Sequence, residues 1–251
     1  MVSNKIIAKE WDTNAIIRHN QIKSGMDISY HKILIPSIIK ALGNIKNKKG
    51  LDVGCGTGKI TRILAKKTKT MIGVDLSKEM IDIAEKESLN VPNISFIKTS
   101  IESFQKNHPH NTFDFCVSNM SFNTMPNLNK VIRSMSLLLK NNGILVFSIA
   151  HPCFWNFYKR LEPEDSFEYL KNHNMRVKFT ISLDQKGLPE KTTYFHRPLE
   201  YYSKLLVKNG FIIENLYEPF PSEIIHNLYP QKWLFPHFLI FRCQLYRFCL
   251  F

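Results

Sequence analysis

The sequence predicts an α/β protein built on a doubly wound sheet of about seven strands, mostly parallel with an antiparallel edge. From Gly50 onward, short β-rich runs alternate with segments whose apolar residues recur at helical spacing, as in a parallel sheet covered by helices on both faces. A glycine-rich turn follows the first run, where such sheets bind their ligands. Two strand-like runs near the end of the chain would pair at the far edge. The length of 251 residues suits one such domain better than two.

Five strands and three intervening helices are predicted in the alternating part of the chain. The strand runs are residues 50–53, 70–74, 94–98, 113–117 and 144–149. The helical runs are residues 60–67, 78–86 and 128–139. Ser77 is placed to cap the second helix, and Asn141-Asn142-Gly143 should close the third in a glycine turn.

The segments that flank this core differ from it in pattern. Residues 15–42 predict one or two helices, broken near Gly25 and Pro36, which could pack as a lid. The aromatic-rich stretch 152–197 contains a predicted hairpin of residues 177–183 and 192–196 around Gly187. A helix over residues 198–208 should stop at Asn209-Gly210. It leads to the edge strands 211–217 and 238–246.

Composition limits the surroundings and partners that we expect. The N-terminus lacks the apolar run of a signal peptide and no 18-residue apolar stretch occurs, so we expect a cytoplasmic protein without membrane contact. The five cysteines show neither zinc-ligand spacing nor a disulfide framework, so reduced thiols and no metal are expected. The net charge of +13 comes from scattered lysines and arginines. A nucleic-acid partner is therefore disfavoured, and the oligomeric state is left open.

The segment LDVGCGTG, residues 51–58, carries the chemistry. It lies at a strand-to-helix turn, where glycines let the backbone approach a ligand closely. Gly54 and Gly56 match the start of a dinucleotide fingerprint, but the third glycine is Gly58, so a pyrophosphate and a nicotinamide dehydrogenase are disfavoured. Asp75 ends the second strand, where a carboxylate can accept both hydroxyl hydrogens of a ribose. These features fit a nucleoside cofactor that lacks a pyrophosphate.

LDVGCGTG followed by VDLSKEMIDIAEK resembles the cofactor signature of class I S-adenosylmethionine-dependent methyltransferases, which have a Rossmann-like fold. The resemblance implies S-adenosyl-L-methionine as cofactor and S-adenosyl-L-homocysteine as product. It also implies a cofactor site of eleven residues: Asp52, Gly54, Cys55 and Gly56 at the methionine moiety, Asp75 at the ribose, Leu76, Met80, Ser100 and Ile101 at the adenine, and Asn119 and Met120 near the reacting sulfonium.

Two departures from common family patterns affect these roles. Many members have an acidic residue after the third strand for the adenine amino group, whereas this chain has Ser100 there, so Ser100 or Glu102 would have to replace it. The sequence SNMS after the fourth strand differs from the NPPY type of motif, so methylation of exocyclic base amines is disfavoured.

The C-terminal half resembles a subgroup of small-molecule and natural-product methyltransferases, through SIAHPCF, YFHRPLEYYSKLLVKNGFIIENLYEPFP and the N-terminal WDTNA. A finer resemblance is to enzymes that N-methylate the terminal arginine amine of plantazolicin-type peptides. The single domain, residues 1–251, would then comprise a helical lid (1–45), a cofactor-binding core (46–151), an inserted substrate cover (152–197), and a final helix with edge strands (198–251).

Six residues are candidates for the acceptor side of the site. His151, at the end of a parallel strand, could orient the acceptor or relay its proton, or could instead hold the turn before Pro152. The aromatic candidates are Trp11, Phe154 and Trp155, which could wall a pocket or belong to the core. The acidic candidates are Glu162 and Asp165, which would suit a guanidinium or amine if they face the pocket, or could be solvated.

Other functions remain open at this point. The enzyme could be an O- or C-methyltransferase of another small metabolite, or an RNA methyltransferase favoured by the basic charge. From another class, it could be a cofactor-binding scaffold protein without catalysis. A pocket filled by Trp155 or Phe154 would favour the scaffold, and an open pocket would favour the enzyme.

Overall fold

In the computed structural model, which describes residues 2–161, 163 and 167–247, seven strands form one sheet and two form a separate hairpin. In chain order, the nine strands are β1 (Lys49–Val53), β2 (Thr70–Asp75), β3 (Ile94–Lys98), β4 (Phe113–Asn119), β5 (Leu139–Ala150), β6 (His173–Val177), β7 (Thr192–His196), β8 (Phe211–Tyr217) and β9 (Phe238–Leu245). The large sheet has the order β3-β2-β1-β4-β5-β9-β8. The predicted fold, with its antiparallel edge, is confirmed.

The sheet is doubly wound, and its strand order places the glycine turn. Strands β3, β2, β1, β4 and β5 are parallel, whereas β9 runs antiparallel to both of its neighbours, β5 and the edge strand β8. The chain moves outward from β1 to β3, then returns to β4 on the other side of β1. The β1/β4 boundary is therefore a topological switch point, where the carboxyl ends of parallel strands form a crevice for ligands. The glycine turn after β1 lies at this boundary.

Nine α-helices surround the sheet in the described part of the chain. They are α1 (Asn4–Lys23), α2 (Ile35–Leu42), α3 (Lys59–Ala65), α4 (Lys78–Lys86), α5 (Ile101–Lys106), α6 (Leu128–Leu138), α7 (Trp155–Lys159), α8 (Leu199–Lys208) and α9 (Glu223–His226). The predicted bounds of α4 are confirmed, and the Ser77 hydroxyl accepts a hydrogen bond from the Met80 amide at 3.1 Å. The short helix α5 was not predicted, because six residues give too little periodicity.

The glycine cap predicted after α6 is wrong. The helix ends at Leu138, and Leu139 is already extended, fully buried and paired with Phe113 of β4. The register shifts between Phe113 and Phe115, and Asn142, not Gly143, has the positive φ of 62°. Burial of Leu139 in the sheet therefore begins the strand before the turn residues, which lie inside β5.

The N-terminal segment is more helical than predicted. Helix α1 begins eleven residues before the expected start at 15, and Gly25, with φ of 81°, ends it as predicted. Pro36 breaks nothing, because it lies in the first turn of α2, where its missing amide is not needed. A π-helical turn, Ser29–Leu34, joins the two regions.

Helix α1 is hydrogen-bonded to two distant parts of the chain. The buried Glu10 carboxylate accepts from the amide and hydroxyl of Thr193 at 2.7 and 2.8 Å. Asp12 accepts from the Ser77 hydroxyl at 2.6 Å and the Glu79 amide at 3.1 Å, at the start of α4. Hydrogen bonds to a charged partner are among the stronger ones. They fix α1 between the β6–β7 hairpin and the end of β2.

The predicted hairpin exists, but its first strand is displaced. β7 has the predicted bounds and pairs with residues 173–177 instead of 177–183. Residues 178–191 form a long loop in which the Leu188 amide donates to the Phe179 carbonyl at 2.8 Å. A Cβ at Gly187 would lie 2.3 Å from that same carbonyl, so only glycine fits there. Arg197, just after β7, donates to the carbonyls of Phe122 and Met125, which ties the hairpin to the sheet.

Apolar residues pack on both faces of the large sheet. One cluster lies between the sheet and the helices α5, α6 and α8, and the other between the sheet and α2 and α3. No helix among the described residues has both the length and the apolar character needed to cross a bilayer.

Candidate active site

A cavity of about 1600 Å³, measured with its mouth, opens at the carboxyl ends of β1, β2 and β4. The eleven residues predicted for the cofactor all line it: Asp52, Gly54, Cys55, Gly56, Asp75, Leu76, Met80, Ser100, Ile101, Asn119 and Met120. Helix α1 and the loop after β6 form its other walls. The lining thus extends from the glycine turn after β1 to the aromatic side chains Trp155, Tyr158 and Phe179.

Asp75 joins the two turns that form the floor of the cavity. One carboxylate oxygen accepts from the Gly56 amide at 2.9 Å, and the other accepts from the Ser77 amide at 2.9 Å. Burial raises the pKa of Asp75, although its backbone hydrogen bonds oppose the shift. An ionised carboxylate has about four lone-pair sites. Asp75 thus retains acceptor capacity for two hydroxyl groups of a ligand.

Asp52 is a second buried carboxylate, at the end of β1. It accepts from the Thr61 hydroxyl at 2.7 Å and is 2% exposed. Burial raises its pKa to about 7; the Thr61 hydrogen bond opposes this shift and the nearby Asp75 charge adds to it. A cation that binds in the cavity would stabilise the ionised form. The site is therefore suited to a ligand that carries positive charge.

The structure explains the three glycines of the turn in different ways. A Cβ at Gly54 would lie 2.4 Å from the Ser121 hydroxyl, which itself donates to the Gly54 carbonyl at 3.0 Å. A Cβ at Gly58 would lie 2.6 Å from the Phe96 ring. At Gly56 the nearest atom to a Cβ is the Met80 sulfur at 4.0 Å, so the space there is open. Close packing explains the first and third glycines, and open space for a ligand explains the second.

Gly54→Ala should destabilise the protein more than Gly25→Ala does. Both glycines have positive φ, of 72° and 81°, so each alanine incurs a conformational cost of about 1–2 kcal/mol. Gly25 has no neighbour within 4 Å of the added Cβ, whereas Gly54 also meets Ser121. Urea unfolding should therefore show a further loss of about 1–3 kcal/mol for Gly54→Ala. Equal losses for the two variants would contradict this account of the turn.

The residues fit the cofactor that the sequence predicts. The Thr57 hydroxyl lines the cavity, is buried, and has no hydrogen-bond partner within the described ranges. A buried polar group without a partner costs free energy unless a ligand or water satisfies it. Gly56 leaves open space, and Asp75 has acceptor capacity beside it. A nucleoside with a free ribose and a cationic amino-acid end matches these donors, acceptors and charges.

Local structure constrains three of the residues expected around the cofactor. The Ser100 hydroxyl caps α5 by accepting from the Ser103 amide and donates to the Ser103 hydroxyl, both at 3.1 Å, which leaves one lone pair for a ligand donor. Asn119 accepts from the Ser148 hydroxyl at 2.7 Å, which fixes its side chain at the end of β4. Met120 has a positive φ of 55°, and such strain at a cavity wall often marks a functional position.

The aromatic end of the cavity contains two of the predicted acceptor residues. Trp11 and Trp155 line it, and the cavity beside Trp155 is open, not filled by the indole. Met120 and Trp155 also pack against a buried cluster that contains Trp233 and Phe238. Tyr158, another aromatic residue that the sequence offered for a pocket wall, also lines it, and the wall residues that the sequence did not indicate include Lys159, Phe179, Thr180 and His237.

His151 does not line the cavity. Its Nδ1 accepts from the Cys153 amide at 3.2 Å, so Nε2 carries the proton and donates to Glu218 at 2.8 Å. Burial lowers its pKa, although Glu218 opposes the shift. This geometry favours the structural alternative, a histidine that holds the turn after β5, and gives the predicted catalytic role no support.

The remaining acceptor candidates also lie away from the cavity or outside the described ranges. Phe154 stacks on Phe235, with 5.2 Å between ring centroids, and packs against His151 instead of lining the cavity. Glu162 and Asp165 lie outside the described residues. The acidic side of the acceptor pocket therefore stays a prediction.

His237, the first residue before β9, occupies the position that His151 was expected to take. Its ring stacks between Tyr158 and Trp233, with centroid distances of 3.6 and 3.7 Å. Burial, together with the nearby Lys159 and His226, lowers its pKa to about 3. The imidazole is therefore neutral at physiological pH. The His151 amide donates to the His237 carbonyl at 2.9 Å, so the two histidines are neighbours across the sheet.

Comparison with known proteins agrees with this geometry. A family model described as a methyltransferase domain matches residues 44–192. Malonyl-acyl-carrier-protein O-methyltransferase from Halalkalibacterium halodurans is 38% identical over 121 residues, which are 47% of this chain and 43% of that protein. A ubiquinone biosynthesis O-methyltransferase from Actinobacillus pleuropneumoniae is 28% identical over 148 residues, which are 57% of this chain and 60% of that protein. The chain thus spans only about half the length of these curated relatives.

Solved structures match over a larger part of the chain. A protein from Listeria monocytogenes, assigned as an S-adenosylmethionine-dependent methyltransferase, superposes with a TM-score of 0.67 at 21% identity, covering 84% of this chain and 97% of that one. An S-adenosylmethionine-dependent methyltransferase from Mesorhizobium loti superposes with a TM-score of 0.63 at 20% identity, covering 83% and 96%. At these identities the superpositions show the fold.

Proposed function

The chain belongs to the class I S-adenosylmethionine-dependent methyltransferases, and on that premise we propose that it methylates a small-molecule acceptor bound at the aromatic end of the cavity. The observation that carries the proposal is the continuity of this cavity. It contains the Asp75 carboxylate and the glycine turn at one end and the Trp155 and Tyr158 rings at the other. A scaffold protein without catalysis would have no need of the open second part.

Each end of the cavity has a distinct role in this proposal. Asp75 would hold the ribose hydroxyls, and Asp52 with the amides of the turn would hold the methionine moiety. Met80 and Ile101 would pack on the adenine. When bound, S-adenosylmethionine supplies a methyl group already activated on a sulfonium. The chain's own contribution is therefore to hold the acceptor in line with the methyl group and to exclude water. Effective molarities of well-oriented intramolecular reactions correspond to a lowering of the activation free energy by about 7–11 kcal/mol.

The lid helix α1 contributes to the exclusion of water. Its residues Ile7 and Trp11 line the cavity. Its Asp12 is bonded to Ser77, two residues beyond Asp75. The lid and the cofactor end of the cavity are thus fixed to the same turn. The apolar side chains of the lid are therefore held over the reacting atoms, where they exclude water.

The finer proposal, a peptide with an N-terminal arginine, has less support within the described residues. Its acidic candidates lie outside them, and the acceptor end includes Lys159, for which the described residues provide no carboxylate ion-pair partner. A cationic acceptor would meet this ammonium. We therefore place a small acceptor first and test the arginine peptide as a competing substrate.

Incubation of purified protein with methyl-labelled S-adenosylmethionine tests the proposed function. The acceptors would be a set of aromatic carboxylic acids, phenols and arginine-terminated peptides. Label should appear in a small acceptor and should be absent with Asp75→Ala. Transfer to arginine-terminated peptides alone would favour the peptide enzyme. If folded protein binds the cofactor and transfers to none of these classes, the small-acceptor proposal is wrong.

A further inference from the structure

The charges at the aromatic end of the cavity are not balanced. Besides the tyrosines and the neutral His237, the described ionisable residues of this wall are Arg18 and Asp27, which pair with each other at 2.7 Å, and Lys159. Asp27 also accepts from the Tyr30 amide at 2.9 Å. Arg18 and Asp27 therefore neutralise one another. Of the wall residues that the structure describes, Lys159 is left as the net charge of this end.

Among the described residues, the hydrogen-bond partner of Lys159 is the neutral Thr180. Its ammonium donates to the carbonyl and hydroxyl of Thr180 at 3.1 and 3.0 Å. It lies 4.9 Å from the Tyr158 ring centroid and 5.4 Å from that of Trp155. Within the described ranges no carboxylate forms an ion pair with it. An ammonium has three donor hydrogens, so one is left for a ligand.

The environment of Lys159 makes its charge costly without an anion. Burial lowers the pKa of Lys159 to about 8, and Asp27 opposes the shift only in part. The neutral His237 adds no charge of its own. A bound anion would offset the desolvation of the ammonium, since a partly buried charge interacts strongly with a partner of opposite sign. The chain's net charge of +13 also attracts anions to the surface.

We propose that Lys159 binds an anionic oxygen of the acceptor, so that the acceptor is an aromatic or otherwise apolar molecule with a carboxylate or phenolate. The inference rests on the proposed function, because it assigns the acceptor of that same site. The oxygen would complete the donor set of Lys159. The apolar body would lie against Trp155, Tyr158 and Phe179. Lys159 acts here as a binding and specificity residue.

Three probes of one shape test the sign of the charge. Benzoate is an anion, benzamide is neutral and benzamidine is a cation. Calorimetric titration would measure each probe against the S-adenosylhomocysteine complex. We expect benzoate to bind about tenfold or more tightly than benzamide, and benzamidine to bind most weakly. Lys159→Met should remove the preference for benzoate and leave benzamide unchanged. Lys159→Arg should retain it within about threefold.

The pH dependence of benzoate binding provides a second test of the contact with Lys159. Benzoate affinity should be constant between about pH 6.5 and pH 7.5, then fall by up to about tenfold per unit above pH 8, as Lys159 loses its proton. His237 stays neutral over this range, and burial raises the pKa of Tyr158, so neither accounts for the fall. Lys159→Met should lack the dependence. The exposed Lys171, replaced by methionine, is the matched control and should bind as wild type does.

The negative results distinguish failure of this inference from failure of the proposed function. Equal binding of the three probes, a preference for benzamidine, or no benzoate binding to the complex overturns the inference. An equal loss for all three probes in Lys159→Met also overturns it, because the lysine then only holds the Thr180 loop. These outcomes leave the proposed function intact if S-adenosylhomocysteine binds. If folded wild-type protein does not bind S-adenosylhomocysteine, the proposed function fails and the inference falls with it.

Discussion

Asp75→Ala should weaken S-adenosylhomocysteine binding by about tenfold or more, which corresponds to about 1.4 kcal/mol per factor of ten. The carboxylate lies in the cavity with acceptor capacity left for two ribose hydroxyls. Hydrogen bonds to charged groups contribute about 1.5–3 kcal/mol each, so a loss near a hundredfold is within reach. The variant also frees the Gly56 amide, which loosens the turn. The ligand-induced shift in unfolding temperature would measure the effect.

Asp82→Ala is the matched control for this prediction. Asp82 lies on α4, seven residues further along the chain, and pairs with Lys78 on the protein surface. Exposed ion pairs contribute about 0–1 kcal/mol, and Asp82 does not line the cavity. It should therefore bind S-adenosylhomocysteine as wild type does. If folded Asp75→Ala binds as tightly as Asp82→Ala, the ribose role of Asp75 is wrong.

Asp52→Asn should stabilise the ligand-free protein at neutral and alkaline pH and should weaken cofactor binding. Burial raises the pKa of Asp52 from 3.8 to about 7, with Asp75 adding to the shift. A carboxyl with a raised folded-state pKa favours folding fully below its unfolded pKa, and this contribution is lost as pH rises through the folded one. The wild type therefore loses stability between about pH 4 and pH 7, and asparagine does not.

Urea unfolding at two pH values measures this loss. Relative to wild type, Asp52→Asn should gain about 2 kcal/mol between pH 5.5 and pH 8, and the total gain at pH 8 should be on the order of 4 kcal/mol. Thr61 can still donate to the amide oxygen, so the hydrogen bond is kept. A pH-independent difference between the two proteins would contradict the buried-carboxylate account.

Asp114→Asn should show the opposite sign, which makes it a useful control. Partial burial alone would raise the pKa of Asp114, but the Lys140 ammonium and the Lys49 amide hold it below its usual range. A lowered pKa adds stability above the unfolded value and loses it as pH falls through the folded one. Asp114→Asn should therefore be destabilised at pH 8. A gain in stability there would mean that the Asp52 result reflects a general charge effect.

Local patterns were enough to predict the βα core and the cofactor side of the site. Each strand–helix unit is formed by neighbouring residues, and the glycine turn with Asp75 lies within two consecutive units. The parallel strands then bring their carboxyl ends to one edge by topology alone. The roles of the eleven residues between 52 and 120 came from the resemblance to the methyltransferase signature, and all eleven line one cavity.

The acceptor side could not be predicted in the same way, because it is assembled from distant segments. His151 and His237 lie 86 positions apart in the sequence, yet they are hydrogen-bonded across β5 and β9. The sequence predicted a histidine at this edge of the sheet, and of these two it is His237 that lines the cavity. Lys159 follows a stretch of aromatic residues, and nothing local shows that it faces a cavity. Its partner Thr180 lies in the loop after β6, where the sequence predicted a strand over residues 177–183 instead.

Calorimetric titration of purified, ligand-free wild-type protein with S-adenosylhomocysteine, and separately with NAD, tests the central claim most directly. The fold, the glycine spacing and the Asp75 geometry predict one molecule of S-adenosylhomocysteine bound per chain and no binding of NAD. Binding of NAD, or no binding of S-adenosylhomocysteine by protein shown to be folded, would contradict the assignment of this cavity to the methyl-donor cofactor.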